Sequence, residues 1–231
     1  DGSVHPMPGA NLPLATLGTF ILWLGWFGFN GGSELALGSA ANAANMAIIY
    51  VNTNLAACAG VVAAIILTQV IYKKIDLTMA LNGAIGGLVA ITANPDVQNH
   101  VLALFVGGVG GALVVFAVPL LDKLKVDDVV GAISAHLVAG IWGTLAVALE
   151  DMSTFGEQIF AQAVGIVAVG AFMVVTSGIV WFVLKLTIGL RVDEEAEEMG
   201  LDKAELGMEA STEVGPGSRC GTGGRPPKTT A

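Results

Sequence analysis

Residues 42–72, NAANMAIIYVNTNLAACAGVVAAIILTQVIY, run for 31 positions without an Asp, Glu, Lys or Arg. Neither face of the stretch is polar, so it is not the amphipathic helix of a soluble domain. About 20 mostly apolar residues span the hydrocarbon core of a bilayer as a helix, and this stretch exceeds that. Five further charge-free blocks lie outward from it, at 12–33, 78–94, 100–121, 129–149 and 158–184, the last continuing in apolar character to about 190. The expected fold class is therefore an all-α membrane protein with six transmembrane helices, at about 12–33, 42–72, 78–94, 100–121, 129–149 and 158–190. A transmembrane β-barrel needs alternating segments of about ten residues, and these blocks do not alternate.

Composition narrows the function classes. The chain of 231 residues is 54% hydrophobic and 13% charged, against about 25% charged in ordinary soluble domains. A nucleic-acid binder needs clustered basic charge, which the sequence lacks, so no nucleic-acid partner is expected. Two cysteines, Cys58 in a span and Cys220 in the tail, do not make a disulfide framework. The partner that composition does demand is a lipid bilayer.

Basic residues set the orientation. Lys73 and Lys74 follow the second block, Lys123 and Lys125 the fourth, and Lys185 with Arg191 the sixth. The opposite loops carry only acids: Glu34, Asp96, Glu150, Asp151 and Glu157. The positive-inside rule then puts the lysine loops and both ends of the chain in the cytoplasm, in a multi-pass protein of the cell membrane. Residues 1–11 read as a cytoplasmic loop and 12–190 as the membrane domain. Residues 191–231 read as a cytoplasmic tail. The tail holds nine of the 19 acids within 193–213, where short helices with Leu201, Leu206 and Met208 on one face compete with a solvated, irregular chain. The Gly/Pro-rich end, 215–231, is expected to be disordered.

Polar groups inside the spans are functional candidates because they are costly in lipid. His136 lies about seven residues into the fifth block, roughly 10 Å along a helix. Its imidazole can donate at one nitrogen and accept at the other. A structural hydrogen bond to another helix, a proton relay, a ligand contact and a haem ligand all fit. His100, at a span edge, and His5, in a loop, read as surface histidines. Trp23, Trp26, Phe27, Phe29, Asn30 and Ser33 cluster near the outer end of the first block. They form either an interfacial aromatic belt or a concavity where a ring face attracts a small cation and the Ser33 hydroxyl accepts its hydrogen bonds. Asp127 and Asp128 are N-cap candidates for the fifth helix. Asn52, Thr53, Asn54 and Asn82 are expected to bind other helices. Small residues recur at contact spacing in Gly28/Gly32, Gly83/Gly87 and Gly107/Gly111, where backbones can approach closely.

Several stretches together resemble one family. LGTFILWLGWFGFNGGS at 17–33, NTNLAACAG at 52–60, DLTMALNGAIGGLVAITA at 76–93, VDDVVGAISAHLVAGIWGTLAV at 126–147 and GLDKAELGMEA at 200–210 look like the C-terminal part of an ammonium transporter of the Amt/Mep/Rh family. The resemblance covers about residues 1–210. It implies the second of two inverted five-helix repeats plus a final long helix, the sixth to eleventh helices of the family fold. It also implies that the chain is a C-terminal fragment of a homotrimeric protein. By motif, Ser33 matches the serine of the family's ammonium recruitment site, Phe29 one of two phenylalanines gating the pore, and His136 the second of two pore histidines. The implied function is recruitment of ammonium outside, its deprotonation, and conduction of ammonia past the histidines, with methylammonium as a related substrate. No catalytic residue, metal or cofactor is implied, and no enzyme activity. A PII-type regulator at the cytoplasmic face is an implied partner. Val129 stands where the family usually has a proline, and the resemblance stops after Ser211. The alternative is an ammonium-responsive membrane sensor that signals through its tail. A haem-bearing redox subunit would need paired mid-membrane histidines, and only His136 is so placed.

Overall fold

A computed structural model describes residues 11–208. The expectations for residues 1–10 and for the end of the tail, Cys220 included, lie outside the described residues. Every regular element among the described residues is helical. α1 spans Leu12–Gly32, α2 Ala40–Tyr72, α3 Leu77–Ile91 and α4 His100–Lys123. α5 spans Ile133–Leu149, α6 Phe155–Thr187, α7 Glu194–Met199 and α8 Leu201–Leu206. The starts are chemically marked. Asn11, Ser39, Asp76 and Asn99 each accept a backbone N–H from the first turn of α1, α2, α3 and α4 respectively, which satisfies donors that a helix end leaves free.

The chain divides into two compact units, Asn11–Phe172 and the residues from Met173 on. In the first, α2, α3 and α4 pack mutually, α5 lies on α3 and α4, and α1 lies on α2 and α3. The seam is made of small residues. A Cβ placed on Gly107 of α4 falls 2.4 Å from Ala56 Cα of α2, and one on Gly111 falls 2.3 Å from the Gly60 carbonyl oxygen. Gly83 and Gly87 of α3 meet Gly60 and Ala56 in the same way. Lipid supplies no hydrophobic drive between helices, so this backbone approach is what association rests on. The third expected pair is different: a Cβ on Gly28 or Gly32 meets nothing within 4 Å. Contact spacing puts two glycines on one face of a helix. It does not say which face is packed.

α1, α2, α4 and α6 are long and apolar enough to cross a membrane. α3 and α5, with 15 and 17 residues, reach about 22 and 25 Å at 1.5 Å per residue, short of a hydrocarbon core of about 30 Å. Nine residues of α3 are buried, Gly83 through Leu88 in one unbroken run. A helix so enclosed meets protein and not lipid along most of its length, and lipid thickness does not fix its extent.

In the second unit, Asp193 caps α7 by accepting from the Ala196 N–H, and Arg191 pairs with Glu197 at 3.5 Å. Leu201, Leu206 and Met208 are all exposed.

Candidate functional site

α1, α3 and α5 line one side of an open groove of about 370 Å³ formed by Trp26, Phe29, Val89, Thr92, Ala93, His136, Gly140 and Thr144. Two of the three residues singled out in the sequence, Phe29 and His136, line it. Ser33 does not. It lies just past the end of α1, exposed, with its hydroxyl donating to the Phe29 carbonyl at 3.3 Å. Phe29 is 64% exposed, and His136 is likewise open on the groove side.

The direction of His136 follows from an irregular helix start. Residues Ile133–Val138 form a π-helical turn, a feature that recurs at functional sites because it re-aims one side chain. Asp128 holds that turn. Its Oδ1 accepts from the Ile133 N–H at 2.9 Å, and its Oδ2 accepts from the Ser134 N–H and hydroxyl, each at 3.0 Å. Partial burial pushes the Asp128 carboxyl upward, but these hydrogen bonds outweigh it and hold the group below its ordinary value of 3.8. Gly131 turns the chain between them at φ +72°, with Asn82 of α3 against it. The expected cap is thus Asp128, acting three residues farther along than a normal N-cap.

The other wall comes from α1. Trp26 and Phe29 are three residues apart and share a face. The Trp26 ring meets Phe29 edge-on at 5.8 Å and stacks with the His136 ring at 6.4 Å and 21°. The Trp26 Nε1–H donates to Thr92 Oγ1 at 2.8 Å. The adjacent Asn30 is fully buried and donates to Thr53 of α2 at 3.0 Å, which fixes the rotation of α1 beside the groove. Thr53 in turn donates to the Ile49 carbonyl, and the buried Asn30 Oδ1 has no partner among the described residues.

The sequence placed Trp26 in a cluster that reads either as an interfacial belt or as a cation-attracting concavity, and it did not point to Thr92 or Thr144. The i, i+3 spacing of Trp26 and Phe29 was a usable signal. Nothing local pointed to Thr92, which is 66 residues from Trp26. His100 is exposed, as expected of a surface histidine, but it also carries a structural hydrogen bond. Its Nδ1 lies 2.7 Å from Asn52 Oδ1, and Asn52 Nδ2 donates to the carbonyls of Pro95 and Val97. The Asn52 amide hydrogens are committed to those carbonyls, so its oxygen faces the ring and His100 Nδ1 is the donor. Asn52, buried in α2, thereby ties down the loop before α4. Cys58 is a free thiol.

Comparison with known proteins gives a consistent result. The model of the Ammonium Transporter Family matches residues 2–211. The chain is 37% identical over 222 residues to Ammonium transporter Amt2 of Archaeoglobus fulgidus, covering 89% of this chain and 47% of that protein. It is 41% identical over 196 residues to a putative ammonium transporter of Synechocystis, covering 84% and 44%. Among solved structures, one titled Sensor Amt Protein superposes with a TM-score of 0.81 at 37% identity, over 88% of this chain and 51% of that one. Mep2 of Candida albicans superposes with a TM-score of 0.73 at 26% identity, over 84% and 46%. The chain spans about half the length of the curated relatives it matches.

Proposed function

The chain belongs to the ammonium transporter family, and from that premise we propose that the groove is one wall of a path along which ammonia crosses the cell membrane. In this reading ammonium is recruited outside near Ser33 and gives up a proton, and neutral ammonia passes Phe29 and His136. Methylammonium follows the same route. An ammonium ion in an apolar groove forfeits its hydration at large cost, whereas ammonia keeps most of its free energy there. The observation that carries the reading is the shared groove, in which α1 presents Phe29 and α5 presents His136 to the same space. Ser33 has lesser support, one turn beyond Phe29 and outside the lining.

The rest of the reading is taken from the family and from charge. The chain corresponds to the second inverted repeat and the final helix of a longer protein. The opposite wall of the path and a homotrimer belong to that longer protein. Lysines gather after α2, after α4 and late in α6, which supports cytoplasmic termini. A PII-type regulator would bind on that face.

The test is methylammonium uptake by the complete transporter. Phe29→Ala and His136→Ala are each expected to lower it strongly, His136→Ala by about a hundredfold or more, the scale of a lost proton-handling group. Unchanged uptake by both variants at normal surface abundance overturns the assignment.

A second reading, an ammonium-responsive sensor that signals through the tail from Asp193 on, is favoured by the 0.81 superposition on a Sensor Amt Protein. A tail-deleted variant that still transports but no longer elicits an ammonium-dependent response would select it.

A further inference from the structure

We infer that Thr92 is a positioning residue that sets the selectivity of the groove between ammonium and methylated amines, by pinning the Trp26 indole between Phe29 and His136. The inference rests on the reading of the groove as a transport path.

The geometry leaves the hydrogen bond one direction only. The Thr92 hydroxyl hydrogen is committed to the Leu88 carbonyl at 2.7 Å. Its lone pairs remain, and one receives the Trp26 Nε1–H at 2.8 Å. An indole nitrogen only donates, so Thr92 is its acceptor. No other hydrogen-bond partner of the indole nitrogen is present among the described residues. Thr92 caps the C-terminal end of α3, and the bond therefore locks a ring of α1 to the most enclosed helix of the bundle.

Trp26 is the central ring of the site. Its inner side packs on the core formed by Ala57, Ile85, Leu88, Val114 and Ala135. On the groove side it touches both Phe29 and His136. Packing fixes the depth of the indole, and the hydrogen bond fixes its rotation about the ring-bearing bond. The indole rotation sets how far the two substrate-facing rings stand apart. Losing the acceptor leaves an N–H without a partner in an apolar setting, and such a donor reorients toward whatever acceptor it can reach. The indole then tilts, the groove changes width, and an extra methyl group is rejected less well.

Thr92→Val keeps the branched shape and removes the acceptor. Thr92→Ser keeps the acceptor and removes a methyl group. In the complete transporter, Thr92→Val is expected to lower the ratio of ammonium to methylammonium transport by about tenfold, the scale on which an apolar pocket discriminates one methyl group. Thr92→Ser is expected to restore the ratio. Trp26→Phe removes the donor and leaves Thr92 intact, so it is expected to lower the ratio in the same direction. With that change in place, Thr92→Val has nothing further to remove. An unaltered ratio in Thr92→Val, or an additive effect of Thr92→Val in the Trp26→Phe background, overturns the inference. Should Thr92→Val not reach the membrane, an unaltered ratio in Trp26→Phe does the same. Retained transport by His136→Ala instead counts against the transport path itself, so the two failures are distinguishable.

Discussion

Asp128 is the residue through which the loop before α5 controls the aim of His136. Three hydrogen bonds converge on its carboxylate, and an amide at the same place offers one acceptor and would face the Ser134 N–H with a second donor. Asp128→Asn is therefore expected to cost about 1 kcal/mol of stability at neutral pH, the usual scale of a lost cap. The sign of the pH dependence follows from the depressed carboxyl. A folded-state value below the unfolded one means the contribution is complete above the ordinary value of 3.8 and is lost as pH falls through the folded value. Thermal unfolding in detergent across that window is expected to show the gap between the two proteins closing in acid. A gap of constant size would refute it. Asp76, depressed in the same way because hydrogen bonds from Thr78 and Met79 outweigh its burial, leaves some acid sensitivity in both. Asp128 was legible in the sequence because capping is local, and His136 because a histidine in an apolar run is conspicuous. Thr92 and Asn52 were not legible, since their partners Trp26 and His100 stand 66 and 48 residues away, and only tertiary packing brings them together.

At the scale of the element, adjacent glycines of α4 separate two roles that the sequence shows as one. A Cβ on Gly107 would lie 2.4 Å from both the Cα and the carbonyl oxygen of Ala56, which are backbone and cannot swing aside. A Cβ on Gly108 would meet Ala59 at 3.8 Å, ordinary van der Waals contact. Gly107→Ala is expected to part α2 from α4 and destabilise the bundle by about 1–3 kcal/mol. Gly108→Ala is expected to be neutral or to gain up to about 1 kcal/mol from helix propensity. Thermal stability of the two variants in detergent checks this, and equal effects would mean that the α2–α4 seam does not depend on backbone approach. The six apolar blocks were readable because lipid imposes a length and a composition on anything that crosses it. The short extents of α3 and α5 were not readable in full, because enclosure by neighbouring helices relaxes the length requirement and leaves no mark in local hydropathy. The π-helical turn under His136 was likewise hidden, since Asp128 and Gly131 announce a helix start without announcing its pitch.

For the whole molecule, the decisive quantity is how much of the groove this chain encloses. A path for ammonia has to exclude water and lipid on every side, because a half-open apolar channel floods with whichever is adjacent. Phe29 is 64% exposed and His136 is open on the groove side, so the three helices that line the groove leave a side uncovered. The relatives it matches are about twice as long. Inverted-repeat transporters form their substrate path between two repeats, and in the proposed reading this chain supplies one of the two. The 231-residue chain reconstituted alone in liposomes is therefore expected to give no ammonium-dependent proton or ammonia flux above that of empty vesicles, at any ratio of protein to lipid. The same assay with the complete transporter is the positive control. Flux from the chain alone that Phe29→Ala or His136→Ala abolishes would mean that the groove closes on itself or on a second copy. The closing wall would then come from this sequence itself.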